Sequence, residues 1–444
     1  MFGFGAQLSH LERHVSNFTI EALADVLEPA WIDEALAAAG RASRRVRALP
    51  ADLMVWVLVG MGLWRDMGIR KVLAELRVGL RRALRWRDGQ PPASNAITKA
   101  RDRLGAEVPR HLVLRVADAV RTQFAPLDTW RGLALAAIDG TTLRMSDSPR
   151  NRAHYGAPGS SRGRSAFPQL RLVALMSAVT HMVLAFTTGP CRSGEAPMAK
   201  SLLSQLKAGT LLLLDRGFLD YGLLFDVRAR DSHFVARAKR RLHLRRRKGL
   251  GSRDYLADAV LPRLLRAQRP DLPERMRVRV VSYQVPGFPP VRLLTSLLDP
   301  NLYPAHEIVA RYRDRWEIEL GYDEIKTHLA DARIPMRSAT PERVLQEVHG
   351  LLLAYNAVRA LMARTAAAAG VEPRRLSFTD VLARVRQAVT VMALTPGTLL
   401  PKAYELLLED LGRCRLPPRR DRHYPREVKA KMSSYPLNRR IRAA

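Results

Sequence analysis

Two aspartates occupy equivalent places in the chain. Asp139 follows the apolar run Leu133–Ile138, and Asp215 follows the apolar run Thr210–Leu214. Ligand sites in α/β sheets collect at the carboxyl ends of strands. A carboxylate there is costly to desolvate unless a cation or hydrogen-bond donors face it. A single Asp after a strand is ordinarily a turn residue or a helix cap, but two in one small sheet weaken that reading. A third acid, Glu319, lies in the stretch ARYRDRWEIELGYDEIKTHLA. At 100° per residue, Tyr312, Arg315, Trp316, Glu319, Asp323 and Lys326 fall within about 100° of one another. Beside them runs an apolar stripe of Ile318, Tyr322, Ile325 and Leu329, which should pack on a sheet. The same spacing also suits a surface laced with ion pairs, for example Arg315 with Glu319. Periodicity alone does not separate the two readings.

Two aspartates and a glutamate brought together suit a hard divalent cation. Mg²⁺ takes carboxylate oxygens and keeps several waters. A pair of such ions can stabilise the attacking and leaving oxygens of an in-line phosphoryl displacement. Arg216, Arg315 and Lys326 would then hold phosphates near the ions. The composition points to the same substrate. The 444 residues include 73 Lys+Arg against 42 Asp+Glu, a net charge of +31, and such a surface attracts polyanions. Nucleic acid is the leading candidate and an anionic membrane the second. The longest apolar run, Leu53 to Trp64, is twelve residues with two glycines, short of the roughly 20 needed for a span. The first residues show no signal-peptide pattern. Cys191 and Cys414 are the only cysteines, too few for a disulfide framework or a cysteine-based metal site, which fits a reducing cytoplasm.

These residues also carry a resemblance. Tyr312, Arg315, Glu319 and Lys326 meet the pattern Tyr, two residues, Arg, three residues, Glu, six residues, Lys. Asp215-Arg216-Gly217-Phe218 and Asp139-Gly140-Thr141 each follow a predicted strand. In these features the chain resembles the DDE transposases of bacterial insertion sequences, in the insertion sequence 4 group, from about residue 10 to about residue 365. The four-position signature is specific, whereas Asp-Gly-Thr alone is weak. The resemblance implies an α/β fold with an RNase H-like catalytic core, a β-rich insertion between the second Asp and the Glu, and helical N- and C-terminal regions. It implies Asp139, Asp215 and Glu319 as ligands of two Mg²⁺ ions, with Mn²⁺ able to substitute. It implies nicking of transposon ends by water, a hairpin intermediate, and strand transfer into target DNA. Arg216, Tyr312, Arg315 and Lys326 would contact DNA, the last three at the terminal phosphates. The implied partner is double-stranded DNA, at terminal inverted repeats and target, bound by a homodimer on paired ends in the bacterial, nucleoid-associated cytoplasm. Relatives hold a flipped base on an aromatic. Tyr255, Tyr283, Phe288 and Trp316 are available, and none is assigned.

The elements that must position these groups change character along the chain. Residues 1–125 read as a helical DNA-binding region. Thr19–Leu27, Ile32–Ala39 and Leu53–Leu76 have helical composition, and Asp52 after Pro50 is a candidate cap. Ser94–Leu104 reads as a short capped helix with Lys99, Arg101 and Arg103 outward, able to enter a DNA groove or simply solvated. Arg41, Arg44, Arg45 and Arg47, and then Arg77, Arg81, Arg82, Arg85 and Arg87, form two basic runs. From about 126 the pattern gives a strand at Leu133–Ile138 and a hairpin of Leu170–Val179 with Met182–Thr187. A helix at Glu195–Lys207, a strand at Thr210–Leu214, a helix at Asp220–Arg230 and a strand at His233–Ala238 follow. This is an α/β layer on a mixed sheet, and residues 126–239 with 301–365 are assigned to the catalytic core. Residues 240–300 read as a basic β-rich insertion with strands at Met276–Val285 and Val291–Leu297. Pro304–Ala330 reads as one long helix. Residues 341–444 read as helical and end in a basic, Pro-rich tail, with 366–444 as the C-terminal region.

The function that unites these features is cut-and-paste DNA transposition by metal-dependent phosphoryl transfer. The alternative is a catalytically silent DNA-binding protein derived from a transposase, for which the basic stretches suffice but the acids are superfluous. A two-carboxylate glycosidase leaves the charge unexplained.

Overall fold

The computed structural model describes residues 21–23, 25–43, 48–79, 92–124, 129–160, 163–164, 167–239, 242–331 and 333–417. The basic residues Arg44, Arg45, Arg47, Arg81, Arg82, Arg85 and Arg87, and the tail beyond 417, lie outside the described residues. The helix expected over Thr19–Leu27 does not form in the described part of that stretch, which is a short 3₁₀ turn at Glu21–Leu23 and a further turn over 25–27, with 19, 20 and 24 outside the described residues.

The N-terminal region is helical: α1 (Pro29–Ala38), α2 (Ala51–Leu63), α3 (Ile69–Gly79), α4 (Ser94–Leu104) and α5 (Glu107–Gln123). Helix α2, ADLMVWVLVGMGL, is apolar on every face and buried on every face, as such a sequence requires. Asp52 is not its cap. Pro50 holds that position without a side-chain bond, and Asp52 lies in the first turn. Helix α4 has the expected bounds, but Arg101 does not face outward. It is 8% exposed and binds Gln346 Oε1 at 2.8 Å and Ser338 Oγ at 3.1 Å. Helical geometry explains this: four residues after the buried Ile97, position 101 falls about 40° away on the same face. Lys99 and Arg103 do stay exposed.

The sheet begins with β1 (Leu133–Arg144), followed by a short helix α6 (Pro149–Tyr155), then β2 (Gln169–Ser177) and β3 (Val183–Pro190). Next come α7 (Glu195–Leu202), β4 (Thr210–Leu214), α8 (Tyr221–Arg228) and β5 (His233–Arg237). The hairpin expected around Thr180-His181 joins β2 to β3, with His181 in the left-handed region at φ 57°. β1, β2 and β3 pair antiparallel, while β4 and β5 run parallel to β1. The order β3-β2-β1-β4-β5 is that of an RNase H-like core. The run TLLLL of β4 is buried at every residue, as a parallel strand covered on both faces should be.

The segment from 240 to 300 holds more strands than its pattern suggests: β6 (Leu244–Gly251), β7 (Asp254–Val260), a short α9 (Arg263–Gln268), β8 (Arg275–Tyr283) and β9 (Val291–Thr295). They continue the same sheet, in the order β5-β9-β8-β7-β6. The chain leaves the core after β5 and returns through β9, which pairs with β5 at Leu293↔Arg237, Leu294↔Ala236 and Thr295↔Val235. β6, sequence LRRRKGLG, is the outer edge and is largely exposed. A strand with one neighbour and no buried face has no alternation to reveal it.

The helix expected over Pro304–Ala330 is interrupted twice. It comprises α10 (Ala305–Arg313), a tight turn at Asp314-Arg315, α11 (Trp316–Asp323), and a π-helical turn at Glu324–Leu329. At the first break the amides of Arg315 and Glu317 bond three residues back, to Tyr312 O at 3.2 Å and Asp314 O at 3.0 Å. The predicted stripe Ile318, Tyr322, Ile325 and Leu329 is buried throughout. The remaining helices are α12 (Pro341–Ala368), α13 (Phe378–Leu394) and α14 (Leu400–Arg413). α12, 28 residues long, is buried on most of its surface. It crosses α2 closely, where Gly350 lies against Leu58 and Gly62 against Ala354. Among the described residues no helix is long and apolar enough to cross a membrane.

Candidate active site

The register of β1 with β4 brings the two aspartates together. Ile138 pairs with Leu214, so Asp139 and Asp215 stand side by side at the next position. Alternation decides which way they point. Ile138 and Leu214 enter one core, and Ala137 and Leu213 enter the other. The aspartates therefore point to the side of Ala137 and Leu213, with Asp215 still extended at φ −75°, ψ 165°. That side is covered by the helix of the third acid, since Ile318 and Tyr322 belong to the same core.

Tyr322 ties the helix to the strand. Its hydroxyl donates to Asp139 O at 2.6 Å and accepts from Ala174 N at 3.1 Å. Asp139 and Ala174 face each other across β1 and β2, so the hydroxyl bridges that pair of backbone groups. Burial holds the phenol well above its ordinary range, which keeps the proton that makes it a donor. A Cβ on the neighbouring Gly321 would stand 2.6 Å from Met176 Cε, the movable end of that side chain. One turn further on, Lys326 Nζ donates to Thr141 Oγ1 at 3.0 Å. Burial, and then Arg144, lower the Lys326 ammonium below its usual value.

The predicted residues are thus placed as follows. Asp139, Asp215, Glu319 and Lys326 are half-buried, and Arg216 is exposed on the turn after β4. Burial pushes the Asp139 carboxyl up to about 6, with Glu319 and Glu195 adding to the rise and the Gly140 amide and Arg315 opposing it. Tyr312 is buried, and burial pushes its phenol up to about 12. Arg315 is buried too, and its Nη2 binds Glu319 Oε1 at 3.0 Å. Asp323 does not join this group. It is exposed beside Thr327 and His328, because it lies about 130° round the helix from the buried stripe, against about 90° for Glu319. Trp316 is 44% exposed, with the Arg315 guanidinium 5.0 Å from its ring centroid. Tyr255 carries Arg246 at 4.9 Å.

A fourth acid, Glu195, is missing from the sequence reading. It lies in the first turn of α7 and is ion-paired with Arg171. A Cβ on Gly140 would lie 2.7 Å from its Cδ. The visible signal is the glycine directly after Asp139, which leaves room for a neighbour. Behind α11, His181 Nε2 meets Glu317 Oε2 at 2.9 Å, and Arg359 and Tyr355 of α12 hold Glu324.

The three predicted ligands suit Mg²⁺ by type, as carboxylate oxygens. Their disposition does not yet make a cage. Among the described residues no group of three or more His, Cys, Asp or Glu side chains is placed to hold a metal ion. Glu319 is turned to Arg315, and Asp139 Oδ1 accepts from the Gly140 amide at 2.8 Å.

Comparison with known proteins gives a consistent family. The model of the transposase DDE domain matches residues 130–357, and that of the insertion element 4 transposase N-terminal region matches residues 17–113. The chain is 32% identical over 423 residues to the transposase InsG for insertion sequence element IS4 of Escherichia coli strain K12, covering 94% of this chain and 93% of that protein. A cryo-EM structure of the piggyBac transposase synaptic complex with hairpin DNA superposes with a TM-score of 0.43 and 11% identity, over 95% of this chain and 87% of that one.

Proposed function

Because the chain belongs to the insertion element 4 family of DDE transposases, enzymes that cleave DNA and transfer strands, we propose that it moves an insertion sequence by a cut-and-paste route with Asp139, Asp215 and Glu319 as its catalytic carboxylates. The observation that carries this reading is the common side of the sheet onto which β1, β4 and α11 direct the three acids. DDE domains use divalent metal ions. The ions proposed here are two Mg²⁺, replaceable by Mn²⁺, held by the three acids once Glu319 turns toward the aspartates. Bound there, the ions would supply charge stabilisation for in-line attack on a phosphodiester.

The chain's own groups do the rest. Lys326 holds its ammonium on Thr141, two residues along β1 from Asp139. Arg216, exposed after Asp215, reaches phosphate from the far edge. Tyr312 and Arg315 sit deeper and meet only a strand end that enters the site. Tyr322 keeps Asp139 and the Glu319 helix at a fixed spacing. The substrate is double-stranded DNA, at the terminal inverted repeats and then the target, cut through a hairpin intermediate by a homodimer on paired ends in the bacterial cytoplasm. Residues 126–239 with 301–365 serve as the catalytic core. The helical residues 1–125, the β-rich insertion 240–300 and the helical 366–444 with its basic tail flank it as further units.

The test is cleavage of DNA carrying the element's own ends by purified protein with Mg²⁺. Asp139→Ala and Glu319→Gln should each abolish cleavage while leaving end binding in place. Full cleavage by either variant sinks the assignment. End binding with no metal-dependent cleavage by the natural protein favours the catalytically silent form instead.

A further inference from the structure

Arg315 occupies an unusual position for a phosphate-binding side chain. Its side chain is only 7% exposed. Its Nη2 holds Glu319, while its Nε is a buried donor with no partner. A guanidinium offers five N–H donors in a planar fork, and here the Nε donor is left over. Burial works against the charge, and the neighbouring Asp215 and Glu319 are among the groups that sustain it. Arg315 is also the cation acting on Asp139. One buried guanidinium, in contact with Glu319, therefore acts electrostatically on all three acids.

We propose that Arg315 is a built-in counter-ion that holds Glu319 away from the aspartates until a DNA phosphate takes its place as partner. Glu319 cannot serve Arg315 and a metal ion beside Asp139 and Asp215 with the same freedom. A phosphate offers the planar fork two oxygens, more than the single carboxylate oxygen it now holds. The exchange moves Glu319 from Arg315 to the ion and Arg315 from Glu319 to the phosphate. DNA and divalent ion then bind cooperatively, and by linkage each strengthens the other equally. The DNA-free protein is guarded against assembling a charged nuclease centre. This inference rests on the carboxylate-metal reading above and assigns Arg315 a positioning role before any chemistry.

Mn²⁺ binding to the full chain, followed by electron paramagnetic resonance with and without a duplex carrying the element's end, tests it without any turnover. The duplex should tighten Mn²⁺ binding by roughly 5–150-fold, the usual range of coupling between two sites. Arg315→Gln should bind Mn²⁺ more tightly than the natural protein when DNA is absent, and the duplex should then add little. Arg315→Lys, which retains the buried charge, covers the case of a glutamine variant that does not fold. It keeps a hold on Glu319 but lacks the fork, so the duplex should tighten Mn²⁺ less than in the natural protein. Mn²⁺ affinity indifferent to the duplex, or Arg315 variants with unchanged coupling, overturns the proposal. Glu319→Gln separates the two levels. If, with the duplex present, it binds Mn²⁺ as the natural protein does, the carboxylate-metal reading itself fails. If it loses Mn²⁺ while the Arg315 variants behave as wild type, only the counter-ion inference fails.

Discussion

Periodicity puts Tyr322 in the apolar stripe of its helix, and its ring is buried there. Its hydroxyl is where sequence pattern stops. It spans the backbone of two strands, Asp139 O at 2.6 Å and Ala174 N at 3.1 Å, groups that no spacing rule connects to position 322. Tyr322→Phe removes both bonds of the hydroxyl and, because Asp139 and Ala174 keep each other as ladder partners, should cost about 0.5–1.5 kcal/mol. Because the bridge sets the spacing of Asp139 from the helix of Glu319, cleavage should fall by about 10²-fold, the usual effect of a small misplacement. End binding should stay near normal. Thermal melting and a paired binding and cleavage assay check both parts, and unchanged cleavage would mean that the spacing is held elsewhere. The acids themselves are legible in the sequence, since each aspartate directly follows an apolar run. The Arg315–Glu319 pair is legible only as one of two readings, because helix spacing brings the two together whether they serve as a surface pair or as part of a buried site.

Helices α2, α5 and α12 are read correctly as helices, but the seams between them are invisible in one dimension. Gly62 in an apolar helix says nothing of what it meets. In the fold a Cβ there would stand 2.7 Å from Ala354 Cβ and 3.2 Å from Gly350 O. Gly62→Ala should overpack this crossing and destabilise the chain by about 1–3 kcal/mol, measured by denaturant titration. On the α5 side of α12, His349 Nδ1 donates to Ala106 O at 2.7 Å, and burial pushes the imidazole down to about 4. The folded value lies below the unfolded one of 6.5. The unfolded chain therefore takes up the proton first, and the stability from neutral His349 is complete above that value and lost as pH falls toward 4. His349→Gln should lose less stability than the natural protein over that window, by roughly 2–3 kcal/mol. Equal pH profiles would show that the seam tolerates the imidazolium. The helix of the third acid is a similar lesson. Uniform spacing places Asp323 about 40° from Glu319, but on the side away from the buried stripe, so Asp323 goes to solvent while Glu319 stays half-buried.

Across the whole molecule the net charge of +31 points to a polyanion, and the fold shows how part of that charge is displayed. The edge strand β6 sets Arg245, Arg246 and Lys248 in solvent on the sheet that carries the acids. If the protein meets 6–10 phosphates, its affinity for DNA should fall by about 10³–10⁵ between 50 and 200 mM salt. Replacing Arg245, Arg246 and Lys248 with Gln should lower the slope of that dependence by about one for each phosphate no longer neutralised. A slope unchanged in the triple variant would remove β6 from the DNA-binding surface. At this scale the sequence identifies the α/β layer and a basic strand-rich segment after it. It does not reveal that the segment continues the same sheet, because the pairing of β9 with β5 joins residues far apart in the chain and leaves no local mark.

That pairing has an evolutionary consequence. The chain departs at Arg237 and comes back at Leu293, its opposite number in the ladder, with Ala238 N bonded to Arg292 O at 2.9 Å. Everything between is a closed excursion whose two ends already touch. Lineages can lengthen, shorten or exchange such an excursion without re-threading the residues around Asp139, Asp215 and Glu319. If the three acids carry the chemistry as proposed, the joint between β5 and β9 is a splice point, at which the excursion can diversify while the residues beside it are inherited intact.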